Sequence, residues 1–136
     1  MGMVTEASLK PLVLVVDDYQ DAREMYAECL DQSGFRVAQA ESGDEAVAKA
    51  LALQPALIVM DLALPGMDGW SATRAIKTDA RTARIPVVAL TGHARSDASS
   101  AAREAGCDSF LTKPCLPDEM VQIVRRMLGG ALHSTD

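Results

Sequence analysis

Asp17 and Asp18 follow the run LVLVV, Asp61 follows ALIVM, Thr91 follows IPVVAL and Lys113 follows SFLT. If those runs are neighbouring strands, the five side chains gather along one edge. Carboxylates gathered there need compensation, since two unit charges about 4 Å apart repel by ~4 kcal/mol at an effective dielectric near 20. A bound divalent cation supplies it. The donors are oxygens with no histidine or cysteine beside them, which favours Mg²⁺, with Mn²⁺ as the alternative, over zinc. Mg²⁺ keeps several waters and readily shares a carboxylate with a phosphoryl oxygen. Lys113 adds a point charge and Thr91 a hydroxyl donor, which suit the other oxygens of a phosphoryl group. The set is fitted to attaching a phosphoryl group to a carboxylate.

The elements that must position these residues alternate along the chain. Leu12–Val16, Ala56–Met60 and Ile85–Leu90 are short apolar runs rich in β-branched residues, as in strands buried on both faces of a parallel sheet. Phe35–Gln39 and Ser109–Thr112 read as less buried strands. Between them lie helical spacings. Ala22, Met25, Tyr26, Cys29 and Leu30 form one stripe that ends near Gly34. Ser42 to Glu45 reads as a capping box before Ala46, Val47, Ala50 and Leu51. Asp68 is placed to cap a helix carrying Trp70, Ala75 and Ile76, and a weaker helix spans about 96–105 and stops at Gly106. A last helix opens at Pro117 with Met120, Ile123, Val124, Met127 and Leu128 on one side, and a polar tail follows Gly129-Gly130.

This is an α/β pattern, (βα)5, and it predicts a doubly wound, flavodoxin-like sheet of five parallel strands. The two poorer strands belong at the edges, which gives the order 2-1-3-4-5 and a topological switch between strands one and three. Asp17, Asp18 and Asp61 flank that crevice. One domain over residues 10–130 is expected, with short tails at 1–9 and 131–136. Thirteen Lys and Arg against 19 Asp and Glu leave a net charge of −6, which argues against direct nucleic-acid or anionic-membrane binding. No apolar run approaches the roughly 20 residues of a membrane span. Three cysteines without a CxxC pair read as reduced thiols, and with no secretory signal visible the cytoplasm is the expected compartment.

The segments VVDDYQDAREMY, IVMDLALPGMDGW, VVALTGHA and AGCDSFLTKP, in this order and at these intervals, resemble the receiver domain of two-component response regulators. The resemblance covers about Leu12 to Leu128. It implies a single-domain, CheY-like receiver that is a signalling switch and not an enzyme on other substrates. Asp61 would be the phosphoacceptor, and the donor a sensor histidine kinase or a histidine phosphotransfer protein. The metal site would be Asp17, Asp18, Asp61 and the backbone carbonyl of Ala63. Lys113 would pair with Asp61 and then with the phosphoryl group, and the Lys113-Pro114 peptide would be cis. Thr91 and Phe110 would form the switch, with Gly92 leaving room for it. The output would be the face of the fourth helix, the fifth strand and the last helix, which carries Arg95, Arg103, Arg125 and Arg126. The downstream target is not encoded legibly.

Plainer readings stand beside these. Asp17 or Asp18 can cap the first helix, Asp61 can open a turn before Pro65-Gly66, and Lys113 can be a solvated surface lysine. Phe110 and Trp70 can be simple packing, and Cys115 an inert thiol. A phosphatase using an aspartyl-phosphate intermediate would place a second Asp where Ala63 stands. A nucleotide- or flavin-binding module would need a glycine-rich loop where the chain has Asp17-Asp18. A degenerate receiver serving only as a docking surface would have no use for the full set. Ala63 and His93 are expected to flank the phosphoryl group, the small Ala63 leaving water access and His93 partly closing it. His93→Ala is therefore expected to shorten the phosphoryl half-life severalfold; an unchanged decay rate would remove His93 from that role.

Overall fold

The computed structural model describes residues 10–62, 69–91, 106–113 and 115–132. Five strands form one parallel sheet: β1 (Leu12–Val16), β2 (Arg36–Ala40), β3 (Leu57–Asp61), β4 (Val87–Thr91) and β5 (Ser109–Thr112). Their order is β2-β1-β3-β4-β5, as the burial of the runs predicts, with the two less apolar strands at the edges. The described helices are α1 (Gln20–Gln32), α2 (Gly43–Leu53), α3 (Gly69–Thr78) and α4 (Pro117–Leu132). None is long and apolar enough to cross a membrane. The helix expected over 96–105, with Arg95 and Arg103, lies outside the described residues, as do the cap expected at Asp68 and the tail 1–9.

The three apolar runs are fully buried from Val13, Leu57 and Val87 onward because the pleat sends alternate residues into two different cores. Val13 and Val15 of β1, Leu57 and Val59 of β3, and Val88 and Leu90 of β4 pack with Tyr26 and Leu30 of α1 and Met120 and Val124 of α4. Leu14, Val16, Ile58, Met60, Val87 and Ala89 face the other way, onto Ala46 and Ala50 of α2 and Ala72 and Ile76 of α3. Each central strand is thus apolar on both sides, which is why its sequence shows no polar alternation.

Local chemistry sets the ends. Ser42 Oγ accepts the Glu45 N–H at 3.2 Å, as a capping box requires, but the Glu45 carboxylate accepts from the Glu41 N–H at 2.7 Å and not from Ser42. Gly34 closes α1 with φ +101°, a conformation costly for any residue with a Cβ.

Three expectations shift. The stripe of α1 is turned, so that Ala27 is buried and Met25 is 44% exposed. The middle strands sit one or two residues later than their apolar runs, which places Asp61 and Thr91 inside β3 and β4 as their last residues. Helix α4 continues through Gly129-Gly130 to Leu132, because two glycines weaken a helix without breaking its hydrogen bonds.

Candidate functional site: an acidic cluster at the strand ends

The register of the sheet makes the site. Val16 of β1 lies opposite Met60 of β3, which brings Asp17 level with Asp61. One carboxylate oxygen from each of Asp17, Asp18 and Asp61 lies within 4.8 Å of the other two. Asp18 is exposed, whereas Asp17 and Asp61 are 0% and 3% exposed. Buried acids this close are tolerable only where positive charge or donors reach them, since stripping a carboxylate of water costs several kcal/mol.

Lys113 is the cation the fold supplies. The Lys113 N–H donates to the Thr91 carbonyl at 2.7 Å, which sets the chain just past β5. Its Nζ then reaches Asp61 Oδ2 at 3.2 Å and Asp17 Oδ2 at 3.3 Å. Burial alone would lower the lysine pKa, but the charges of Asp61 and Asp17 and their hydrogen bonds outweigh it, and the value is raised above 10.5. The sign follows: this pair contributes stability in full below pH 10.5 and loses it as the pH climbs through the raised value.

Donors hold the other side of Asp17. Its Oδ1 accepts the Tyr19 N–H at 2.9 Å, and its carbonyl accepts from Arg23 Nη1 at 3.0 Å. Arg23 is 12% exposed and also donates to Gln39 Oε1 at 3.0 Å, so it ties α1 to the end of β2. Tyr26 donates its hydroxyl to the Cys115 carbonyl at 3.1 Å, fixing α1 against the segment after Lys113. Burial raises the Tyr26 and Cys115 pKa values, keeping both protonated near neutrality. Cys115 thus behaves as the inert packing thiol of the plainer reading.

Gly69 is required by approach distance. At the start of α3, a Cβ on Gly69 would lie 2.3 Å from the Asp61 carbonyl oxygen and 2.5 Å from Leu62 Cα. Its N–H donates to the Leu62 carbonyl at 3.2 Å. The helix is therefore seated on the backbone of the central acid.

Thr91 and Phe110 share a pleat face. Ala89 pairs with Phe110 and Thr91 with Thr112, so both point toward the α2 and α3 side, where Phe110 packs half-buried against the core. Asp61 follows the parity of Leu57 and Val59, toward α1 and α4.

The structure thus brings together Asp17, Asp18, Asp61 and Lys113, with Thr91 on the strand next to Asp61. Ala63, Gly92, His93 and Pro114, with the peptide joining it to Lys113, lie outside the described residues. Arg23, Tyr26 and Gly69 were not singled out for the site by the sequence; only Gly69 carried a signal, as the last residue of LPGMDG. The donor set fits a hard divalent ion. Among the described residues every candidate ligand is a carboxylate oxygen, the hard donor that Mg²⁺ takes.

A family model described as the response regulator receiver domain matches residues 13–125. The chain is 36% identical over 118 residues to the DNA-binding dual master transcriptional regulator RpaA of Synechocystis, covering 87% of this chain and 49% of that protein. It is 29% identical over 119 residues to the polar-differentiation response regulator DivK of Brucella ovis, covering 88% and 97%. A solved receiver domain of a sensor histidine kinase from Pseudomonas aeruginosa, described with a magnesium ion coordinated in its active-site cleft, superimposes with a TM-score of 0.82 at 32% identity, covering 88% and 98%. The chain spans about half the length of the first curated relatives it matches.

Gly69→Ala tests the seating of α3 on Asp61. The added methyl meets backbone on two sides, so a loss of about 1–3 kcal/mol in urea unfolding is expected. An unchanged midpoint would show that the helix stands off from the strand.

Proposed function

The chain belongs to the response regulator receiver domain family, and from that premise we propose that it accepts a phosphoryl group on Asp61. The observation that carries the reading is the Lys113 ammonium held 3.2 Å from Asp61 and 3.3 Å from Asp17 beside a third carboxylate. An Asp61 carboxylate oxygen attacks phosphorus of a phosphohistidine. The P–O bond forms as the P–N bond breaks, and the electron pair stays on the imidazole nitrogen. Lys113 then follows the negative charge from the carboxylate to the phosphoryl oxygens. Asp17, Asp18 and Asp61, with the Ala63 carbonyl, would hold Mg²⁺, or Mn²⁺ in its place, which when bound neutralises charge on the transferring oxygens.

The modification adds roughly −1.5 to −2 charge at the strand ends. Thr91 donates its hydroxyl to a phosphoryl oxygen, and Phe110, on the same pleat face, follows. Gly92 would leave space for that movement, and the Lys113-Pro114 peptide would be cis. The readout is the face of the expected fourth helix, β5 and α4. Ala63 and His93 set the lifetime of the acyl phosphate.

The donor is a sensor histidine kinase or a phosphotransfer protein, and the downstream target is a protein. The match to DivK over 97% of its length supports a receiver domain over residues 10–130 that acts as a switch. Such a switch turns over only its own aspartyl phosphate, and it works in the cytoplasm, where its three free cysteines stay reduced. Its net charge of −6 supports action without direct contact to nucleic acid or membrane.

Incubation with Mg²⁺ and acetyl phosphate is expected to add one acid-labile, hydroxylamine-sensitive phosphoryl group, lost with a chelator and in Asp61→Asn. Lys113→Met is expected to slow the reaction about 100-fold, the usual cost of removing one charge-stabilising group. A phosphoryl group retained in Asp61→Asn would place the acceptor elsewhere.

A further inference from the structure

The opposite end of β5 carries a second charged cluster. Asp108, just before the strand, places Oδ2 2.8 Å from the Lys77 ammonium and 2.8 Å from the Val87 nitrogen. Its own N–H donates to the Val87 carbonyl, also at 2.8 Å. Lys77, in the last turn of α3, further donates to the carbonyls of Ile85 at 2.6 Å and Ala83 at 3.3 Å. One ammonium thus joins α3, the entry to β4 and the entry to β5. Gly106 permits this packing: it has φ +102°, and a Cβ there would come within 2.9 Å of Lys77 Cγ.

A solvated pair of this kind would matter little. This one is not solvated on the lysine side, where the side chain is 16% exposed, and Val87 is fully buried. Removing the carboxylate would leave a buried N–H without its acceptor. The strand it anchors is only four residues long and pairs on one side alone, with β4. Beyond its pairing with β4, it is held by the Asp108–Val87 clamp at one end and the Lys113–Thr91 hydrogen bond at the other. A slip of one residue would carry Lys113 about 3.3 Å and turn its side chain to the other face. The contacts of Lys113 with Asp61 and Asp17 do not survive such a move.

We propose that Asp108 and Lys77 are positioning residues for Lys113: by clamping the start of β5 to β4 and α3, they fix the register that holds the Lys113 ammonium between Asp61 and Asp17. The effect on phosphorylation rests on the phosphoacceptor reading; the placement of the ammonium does not.

Two measurements on the full chain test this. In ¹⁵N-lysine-labelled protein at fixed pH without added metal, Asp108→Ala is expected to speed exchange of the Lys113 ammonium protons about tenfold, the size of one lost charge-assisted hydrogen bond, with Lys49 unaffected. With Mg²⁺ and acetyl phosphate, Asp108→Ala is expected to slow phosphorylation severalfold, yet to change it by less than about twofold in a Lys113→Met background, as coupled residues require. Wild-type ammonium exchange, or equal fold losses in both backgrounds, would overturn the proposal. Faster exchange in a chain that takes no phosphoryl group at all would leave the clamp standing and refute the phosphoacceptor reading instead. If Asp108→Ala does not fold, Lys77→Met leaves the Asp108–Val87 bonds in place and carries the same measurements.

Discussion

Like charge is held at close range where the sheet leaves little water. Asp17, Asp18 and Asp61 formally carry three negative charges, and Lys113 returns one. The two charges left over equal that of one divalent ion, and the ligand atoms are the hard oxygens such an ion prefers. At an effective dielectric near 20 each close pair of carboxylates repels by ~4 kcal/mol, more than a typical hydrogen bond contributes net. Most features around the site can be understood as ways of meeting that cost. The Tyr19 N–H and the Arg23 guanidinium address Asp17, and Lys113 bridges Asp17 and Asp61.

The architecture makes this arrangement possible. A parallel sheet sends the carboxyl ends of its strands to one edge, and the order β2-β1-β3-β4-β5 opens a crevice between β1 and β3. Two of the described helices pack on each side of the sheet, so the residue that ends each central strand passes from a dry core to the rim within one step. That step is where a carboxylate is sheltered from water yet open to an ion and to a phosphoryl donor. The pleat separates roles as well. Asp61 lies on the parity of the α1 and α4 core, while Thr91 and Phe110 lie on that of α2 and α3. Under the proposed function, a change at the acid would be passed across the sheet to the face expected to meet partners.

Much of this was legible in the chain. Runs without polar alternation identified the central strands, mixed ones identified the edges, and the polar residue closing each run marked the chemistry. What escaped has physical reasons. The orientation of α1 depends on which residues its neighbours leave room for, and the small Ala27 is buried where the larger Met25 is not. Arg23 and Tyr26 act through backbone carbonyls, six residues away at Asp17 and 89 residues away at Cys115, and no side-chain pattern encodes a carbonyl acceptor. The tie from Lys77 to Asp108 spans 31 residues and joins elements that only the folded sheet makes neighbours. Gly69 matters for the absence of a Cβ over Asp61, a close approach that only the fold creates.

The most direct test is thermal unfolding of the wild-type chain across a Mg²⁺ titration, with Asp18→Asn as the comparison. Asp18 is exposed, so its replacement leaves the core intact while removing one ligand and one repelling charge. The expected result is a wild-type transition that rises with Mg²⁺, reaching about 2.7 kcal/mol of stabilisation at 100 times the dissociation constant, and a titration shifted to much higher Mg²⁺ in Asp18→Asn. A wild-type transition indifferent to Mg²⁺, or one that responds identically in the variant, would contradict the claim that the three acids are gathered to hold a divalent ion.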